Sequence, residues 1–349
     1  MLPRLREEIA RSGGWISFAR YMELVLHEPG IGYYAGPAQK LGAQGDFVTA
    51  PELGSLFGRT LARQLADLGL REVLELGAGS GALAATLLAQ KNLDYRILET
   101  SADLRARQRA RLGERASWLE RLPERIRGVV LANEVVDAMP VHAVAWRAAG
   151  IMERGVSLAG GRLAWSERPA SGELLETAKG LSVQAPYESE IGLVARAWMR
   201  ELATRLDEGV IFVIDYGFPR HEYYHPQRSM GTLMCHYRHQ AHGDPFAHPG
   251  EEDLTAHVDF TALASVACDA GLEVLGYATQ AQFLVNCGIT EVLGEANLDN
   301  ALHYAPLAAE AQKLLSPSEM GELFKVLAVG RGMARPLLGF ARGDRAATL

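Results

Sequence analysis

Cysteine is scarce in this chain. Cys235, Cys268 and Cys287 are its three cysteines in 349 residues, far apart and odd in number. That rules against a disulfide framework and a CxxC metal motif, and it fits a reducing compartment. Long hydrophobic runs are also missing. Apolar residues make up 48% of the chain, yet no run approaches the roughly 18 uninterrupted residues of a membrane span. The start, Met1-Leu2-Pro3-Arg4-Leu5-Arg6-Glu7-Glu8, lacks the apolar stretch and cleavage site of a secretory signal, and its early acids are unlike a transit peptide. The expected location is the cytoplasm of a bacterium. Positive charge is not in excess either: 35 basic residues face 42 acidic ones, a formal net charge of −7. A broad electrostatic footprint for nucleic acid is therefore not expected. Arg105, Arg107, Arg109 and Arg111 alternate, which spreads them around a helix as a solvated surface. Internal repeats and low-complexity linkers are absent as well.

What the chain does have is Val73-Leu74-Glu75-Leu76-Gly77-Ala78-Gly79-Ser80-Gly81. An apolar strand runs through an acid into three glycines at alternate positions, followed by a helical pattern from Ala82. Glycine tolerates φ > 0 and lets a ligand approach the backbone. Strand, glycine turn and helix N-terminus together make a nucleotide-cofactor site.

Around this turn the pattern alternates strand and helix, which predicts an α/β fold: a Rossmann-like, mostly parallel sheet. Strands are expected near 72–76, 94–99, 115–118, 127–132 and 210–215, with helices near 81–91, 101–112 and 189–206. Strands near 273–279 and 324–330 are expected to close the sheet as an antiparallel pair. Residues 1–68 read as an N-terminal helical segment with a long glycine- and aromatic-rich loop, Ser17 capping a helix that Pro29-Gly30 stops. The domain at 69–340 carries two insertions, at about 141–188 (short antiparallel strands) and 281–315 (helical). A polar loop spans about 217–256, Asp259 caps a helix, and residues 341–349 are expected to fray.

Two cofactor readings compete for the turn. Gly77-x-Gly79-x-x-Ala82 satisfies the loose dinucleotide fingerprint. The same residues also read as E-x-G-x-G-x-G from Glu75 to Gly81, the motif I spacing of class I S-adenosylmethionine-dependent methyltransferases. Glu75 suits a cationic sulfonium amino acid better than a pyrophosphate, and an antiparallel closing pair suits a methyltransferase better than a six-stranded parallel NAD fold. Glu99, ending the next strand, is placed to accept from ribose hydroxyls in either case. Asn133 and Glu134 directly follow the fourth strand, whose carboxyl end faces the ligand crevice. Asp137 can line the site or simply start a helical turn stopped by Pro140.

With these segments placed, the chain resembles the MidA family of class I S-adenosylmethionine-dependent methyltransferases over nearly its whole length. The matching segments include Phe18-Ala19-Arg20-Tyr21-Met22 with Gly32-Tyr33-Tyr34, the stretch Gly45 to Glu52, Glu75 to Gly81, and Asn133 to Pro140. Ile214-Asp215-Tyr216-Gly217, Asp253 to Phe260 and Phe324-Lys325-Val326-Leu327 extend the match. Motif I belongs to a whole superfamily; the other segments together are far more specific. The resemblance implies S-adenosyl-L-methionine as cofactor and methylation of a protein arginine, with a subunit of a respiratory complex among the possible partners.

A guanidinium acceptor needs carboxylates to orient it and to offset charge. Glu134 is the first candidate for that role and Asp137 the second, though neither reproduces the double-glutamate loop of the better-known arginine methyltransferases. His257 is a candidate for assisting proton removal, against the common alternative of a buried, hydrogen-bonded histidine. Cofactor contacts are expected from Glu75, Gly77, Ala78, Gly79, Gly81, Glu99 and Asn133, and from Trp118 and Leu119 to the adenine, unless Trp118 is a core aromatic. Asp46, Thr49 and Glu52 are expected to fold over the cofactor as a lid. His236, His239 and His242 would share one face of a helix, but no cysteine or acid completes a zinc set, so no metal is expected. A cofactor-binding assembly factor without catalysis and an NAD(P)-dependent oxidoreductase stand as the competing functions.

Overall fold

The structure is a computed structural model that describes residues 1–36, 49–238, 240–296, 301–333 and 336–349, apart from the side chains of residues 301 and 303. Its central sheet runs in the order Ser117–Leu119, Asp94–Leu98, Glu72–Leu76, Ile126–Asn133, Leu206–Phe218, Phe324–Arg331, Glu273–Thr279. All neighbours pair parallel except Phe324–Arg331, which is antiparallel to both strands beside it. The closing antiparallel pair is thus present. The short Val258–Asp259 segment pairs beside the end of the Leu206–Phe218 strand.

This sheet is buried on both faces, as near-continuous apolar strands require. Along one strand the side chains alternate between two cores. Val210, Phe212 and Ile214 pack with the helices Leu56–Leu68, Ala82–Gln90 and Gln280–Asn286. Ile211 and Val213 pack with the helices Leu193–Arg205 and Phe260–Asp269. Two caps hold as expected: Ser17 accepts from the Arg20 N–H, and Asp259 from the Ala262 N–H.

A second sheet is built from the insertion, with strands His142–Arg147, Gly150–Ala159, Arg162–Pro169 and Tyr187–Ile191. It recruits an unexpected fifth strand, Trp15–Ser17, from the N-terminal segment. Gly155 permits this, because a Cβ there would lie 2.3 Å from the Ile16 carbonyl oxygen. The helices Leu2–Arg11 and Phe18–His27 therefore pack with the insertion through Val141, Ala143 and Val156.

Three expectations fail. The polar stretch 217–256 is not a bare loop but contains a three-stranded sheet of Met234–Tyr237, Gln240–His242 and Asp253–Thr255. His236 and His242 therefore sit on strands, not on a helix; His239 lies outside the described residues. The tail does not fray: the Asp344 carboxylate accepts from the Tyr277 N–H at 3.0 Å, the Arg345 N–H donates to the Tyr277 carbonyl, and Leu349 packs on the second core. The tail is held by contacts to residues far away in the chain, such as Asp344 to Tyr277, whereas the small sheet is a tight hairpin with a neighbouring third strand.

Candidate active site

The site is built at the point where the strand order reverses. From Glu72–Leu76 the chain steps outward twice, then returns to lay Ile126–Asn133 on the other side, leaving a crevice between the two carboxyl ends. Leu76 is paired with Ala132, so Gly77 and Asn133 leave the sheet side by side. Gly77, Gly79 and Gly81 all have positive φ, at 64°, 53° and 79°. At Gly77 a Cβ would also press on Val135, 3.0 Å from its Cγ2. Gly81 is the N-cap of the Ala82–Gln90 helix, whose free N–H groups open toward the turn.

Two buried acids flank the turn. Glu75 accepts from the Tyr95 hydroxyl at 2.9 Å. Burial raises its pKa to about 7, with Tyr95 opposing the shift and Glu99 adding to it. Glu99 accepts from the Ser101 N–H and from Gln108 Nε2, at 2.9 and 3.0 Å. The same Gln108 amide donates to the Gly79 carbonyl at 2.8 Å, and its Oε1 accepts from the Trp118 ring N–H at 3.0 Å. Gln108, fully buried and unremarkable in sequence, thus ties the glycine turn to Glu99.

A second acidic wall follows Asn133. Glu134 has a φ of 55°, rare for a residue with a side chain. Its carboxylate accepts from Asn133 Nδ2 at 3.0 Å and from the Ala50 N–H at 3.2 Å. The turn is organised from beneath by Asp215, fully buried at the end of its strand. One Asp215 oxygen accepts the N–H groups of Val135, Val136 and Asp137, at 3.2, 2.9 and 3.2 Å, and the other accepts from Tyr216. Tyr216 in turn donates its hydroxyl to Asp137 at 2.6 Å. Burial, reinforced by Asp137, raises Glu134 to about 8, and burial opposed by Tyr216 raises Asp137 to about 6. Asp215 is also raised, by burial and then by Asp137 and Glu134. Among the described residues, no cation stands among the largest influences on Glu134, Asp137 or Asp215.

These groups open on a cavity of about 680 Å³, within the range of small-molecule sites. It brings together Glu75, Gly77, Ala78, Gly79, Glu99, Asn133, Glu134, Asp137, Thr49 and Glu52. Ser80 donates to Glu52, joining the glycine turn to the segment that precedes the Leu56–Leu68 helix. His27, Tyr34 and Trp198 also line it; Tyr34 belongs to the matching segment Gly32-Tyr33-Tyr34, whereas His27 and Trp198 carried no sequence signal of their own. Gly81 acts behind the wall as a helix cap, and Trp118 acts behind it through Gln108. Leu119 is not on the lining and packs on the second core. His257 is not brought to this cavity: it faces a separate cleft of about 30 Å³, its ring stacked on Phe218. Burial lowers its pKa to about 4, which leaves it neutral. Asp46 lies outside the described residues.

The residues present suit a cationic, ribose-bearing cofactor. Glycines clear the approach to the turn, and Glu99 offers an acceptor. Asn133 Oδ1 and Asp137 Oδ1 are buried at the cavity without a hydrogen-bond partner among the described residues. Residues 56–278 match the family of S-adenosyl-L-methionine-dependent methyltransferases designated Methyltransf_28. This chain belongs to that family. It is a class I methyltransferase by its sheet order as well, and its cofactor is S-adenosyl-L-methionine. A COG1565 superfamily member from Burkholderia thailandensis, whose crystal structure holds S-adenosyl-homocysteine, superposes with a TM-score of 0.96 at 51% identity, covering 100% of this chain and 96% of that one. Curated relatives include "Protein arginine methyltransferase NDUFAF7 homolog, mitochondrial" of Drosophila melanogaster, 28% identical over 97% of this chain and 88% of its own length. The Danio rerio "Protein arginine methyltransferase NDUFAF7, mitochondrial" is 29% identical over 94% and 86%. Among the described residues of this methyltransferase, no helix is long and apolar enough to cross a membrane.

Proposed function

We propose that this methyltransferase modifies an arginine side chain of a partner protein. The observation that carries this reading is the pair of acids on the cavity wall, half-buried Glu134 and buried Asp137, with no cation of the described residues among the largest influences on them. Ionising two desolvated acids side by side is costly, and a bound cation relieves that cost. A guanidinium supplies the charge together with a planar fork of donors that matches carboxylate oxygens. The names of the curated relatives point to the same acceptor class.

The cofactor, when bound at the glycine turn, supplies a methyl group on a sulfonium centre. The chain's own residues do the rest. Glu75, Glu99 and Asn133 hold the cofactor side, while Thr49 and Glu52 cover it and exclude water. Asp137, steadied by Tyr216, orients the guanidinium. Glu134 is positioned to take the proton that the acceptor nitrogen gives up, since its pKa of about 8 lies near working pH.

The test is to incubate the protein with isotopically labelled S-adenosylmethionine and a soluble proteome from cells lacking it, then map labelled sites by mass spectrometry. By family resemblance, subunits of a respiratory complex are the first acceptors to examine. Label on arginine nitrogen supports the reading; label confined to other residues or to small molecules sinks it.

A further inference from the structure

We propose that Cys235, His242 and Glu252 form a binding site for a divalent transition-metal ion of zinc type, outside the methyl-transfer cavity. Cys235 and His242 are direct cross-strand partners in the hairpin of Met234–Tyr237 and Gln240–His242. Glu252 precedes the third strand, Asp253–Thr255, which pairs along the other edge of Met234–Tyr237. One ligand atom from each of the three lies within 4.8 Å of the others. Tetrahedral zinc, with bonds of about 2.0–2.3 Å to N, O and S, sets its ligand atoms roughly 3.3–3.7 Å apart, so a small closing movement completes the set.

The second observation concerns bonding. Glu252 is only 3% exposed, its carboxylate oxygens complete no full hydrogen bond among the described residues, and the His248 N–H and the Cys235 thiol stand beside it. His242 Nε2 is also without a hydrogen bond, although it lies 3.0 Å from Glu252 Oε2. A thiol, an imidazole nitrogen and a buried carboxylate gathered this closely, with no full hydrogen bond to the carboxylate, face a common point. On its other side the imidazole meets the Asp244 N–H at a loose 3.4 Å. Ligation through Nε2 puts a proton on Nδ1 and gives up that contact. Thiolate, imidazole and carboxylate together suit zinc or a neighbouring transition ion, not magnesium or calcium. Three protein ligands leave a fourth position for water, and the part-exposed His242 side chain gives an entry path.

Such an ion would pin the small sheet. Asp253, next to Glu252, accepts from the Tyr34 hydroxyl at 2.7 Å, and Tyr34 lines the active-site cavity. The histidine spacing alone lacked a cysteine and an acid; the strand register supplies both.

Cobalt(II) reports the ligand set directly. The exposed Cys268 is first replaced by Ser so that a surface thiolate does not contribute. The full chain, stripped with chelator, is then titrated with Co²⁺ and with Zn²⁺ against a chromophoric competitor. Expected are tetrahedral d–d bands, a thiolate-to-cobalt charge-transfer band, and a Tm raised by at least about 3 °C with Zn²⁺. Cys235→Ser should abolish the charge-transfer band, and His242→Gln, on a part-exposed position, should weaken binding by at least about 100-fold while the stripped protein keeps its Tm. Absence of the charge-transfer band, or equal affinity in the His242→Gln variant, would overturn the site and leave a thiol–imidazole–carboxylate cluster only.

Discussion

Replacing Glu134 by Gln tests the central step of the proposed chemistry. The change removes the capacity to ionise and little else. The Gln carbonyl keeps the bonds from Asn133 Nδ2 and the Ala50 N–H, and the backbone at φ 55° is already accepted by a side chain of this shape. Tm is therefore expected to stay within about 2 °C, and S-adenosylhomocysteine affinity within about threefold. Transfer should fall much further. Removing one preorganised charged contact to a transition state costs about 2.7–4 kcal/mol, or roughly 10²–10³ in rate. The pH profile adds a second readout. Burial, then the nearby Asp137, holds Glu134 at about 8 rather than the ordinary 4.5, so the free protein carries it about one-tenth ionised at pH 7. The ionised form is favoured only as pH rises through 8. kcat/KM should climb about tenfold from pH 7 to 9 and then level, since an arginine acceptor does not titrate in that range. In Glu134→Gln this limb should vanish. The assay is label transfer to an arginine-containing acceptor from pH 6 to 9, with calorimetric cofactor binding in parallel. A variant within threefold of wild type at pH 8, or one losing cofactor affinity in step with turnover, refutes the reasoning.

Gly77→Ala places a methyl 3.0 Å from Val135 at a φ of 64°, and should cost about 1–3 kcal/mol of stability with a larger loss of cofactor affinity, read by chemical denaturation and calorimetry. Asp215→Ala strips the acceptor from three N–H groups of the 135–137 turn; a loss of about 3–5 kcal/mol in urea unfolding is expected, and a loss below 1 kcal/mol would show that the turn holds itself. Glu75, raised by burial to about 7, favours folding below pH 4.5 and loses that contribution as pH rises through 7. A cationic cofactor reverses its preference, so affinity should rise from pH 6 to 8 and flatten in Glu75→Gln. His257→Phe should leave transfer within about threefold, because His257 is neutral and faces a separate cleft; a loss above tenfold would restore it to the reaction.

The sequence by itself determined what depends on neighbours in the chain. The run from Val73 to Gly81 states an apolar strand, a turn needing positive φ, and a helix start, and each of those is a local requirement of backbone and side-chain shape. The same holds for the Ser17 and Asp259 caps and for the acids Glu75, Glu99 and Glu134, which stand at strand ends where a crevice must open. The tertiary structure alone decided which distant groups meet. Gln108 reads as one more polar residue on an arginine-rich helix until the fold buries it between Gly79, Glu99 and Trp118. Asp215 ends an apolar strand, and only the adjacent pairing of Leu206–Phe218 with Ile126–Asn133 sets it beneath the turn that carries Glu134. His257 packs edge-on against Tyr216 and lines a separate cleft, although its sequence context resembled that of a site residue. Cys235 meets His242 across a hairpin, and Glu252 joins them only because the third strand packs along the other edge of Met234–Tyr237. Hydrogen bonds and burial act over a few ångströms, and the chain brings residues such as Asp215 and Val136, 79 positions apart, within that reach only once the sheet has chosen its order.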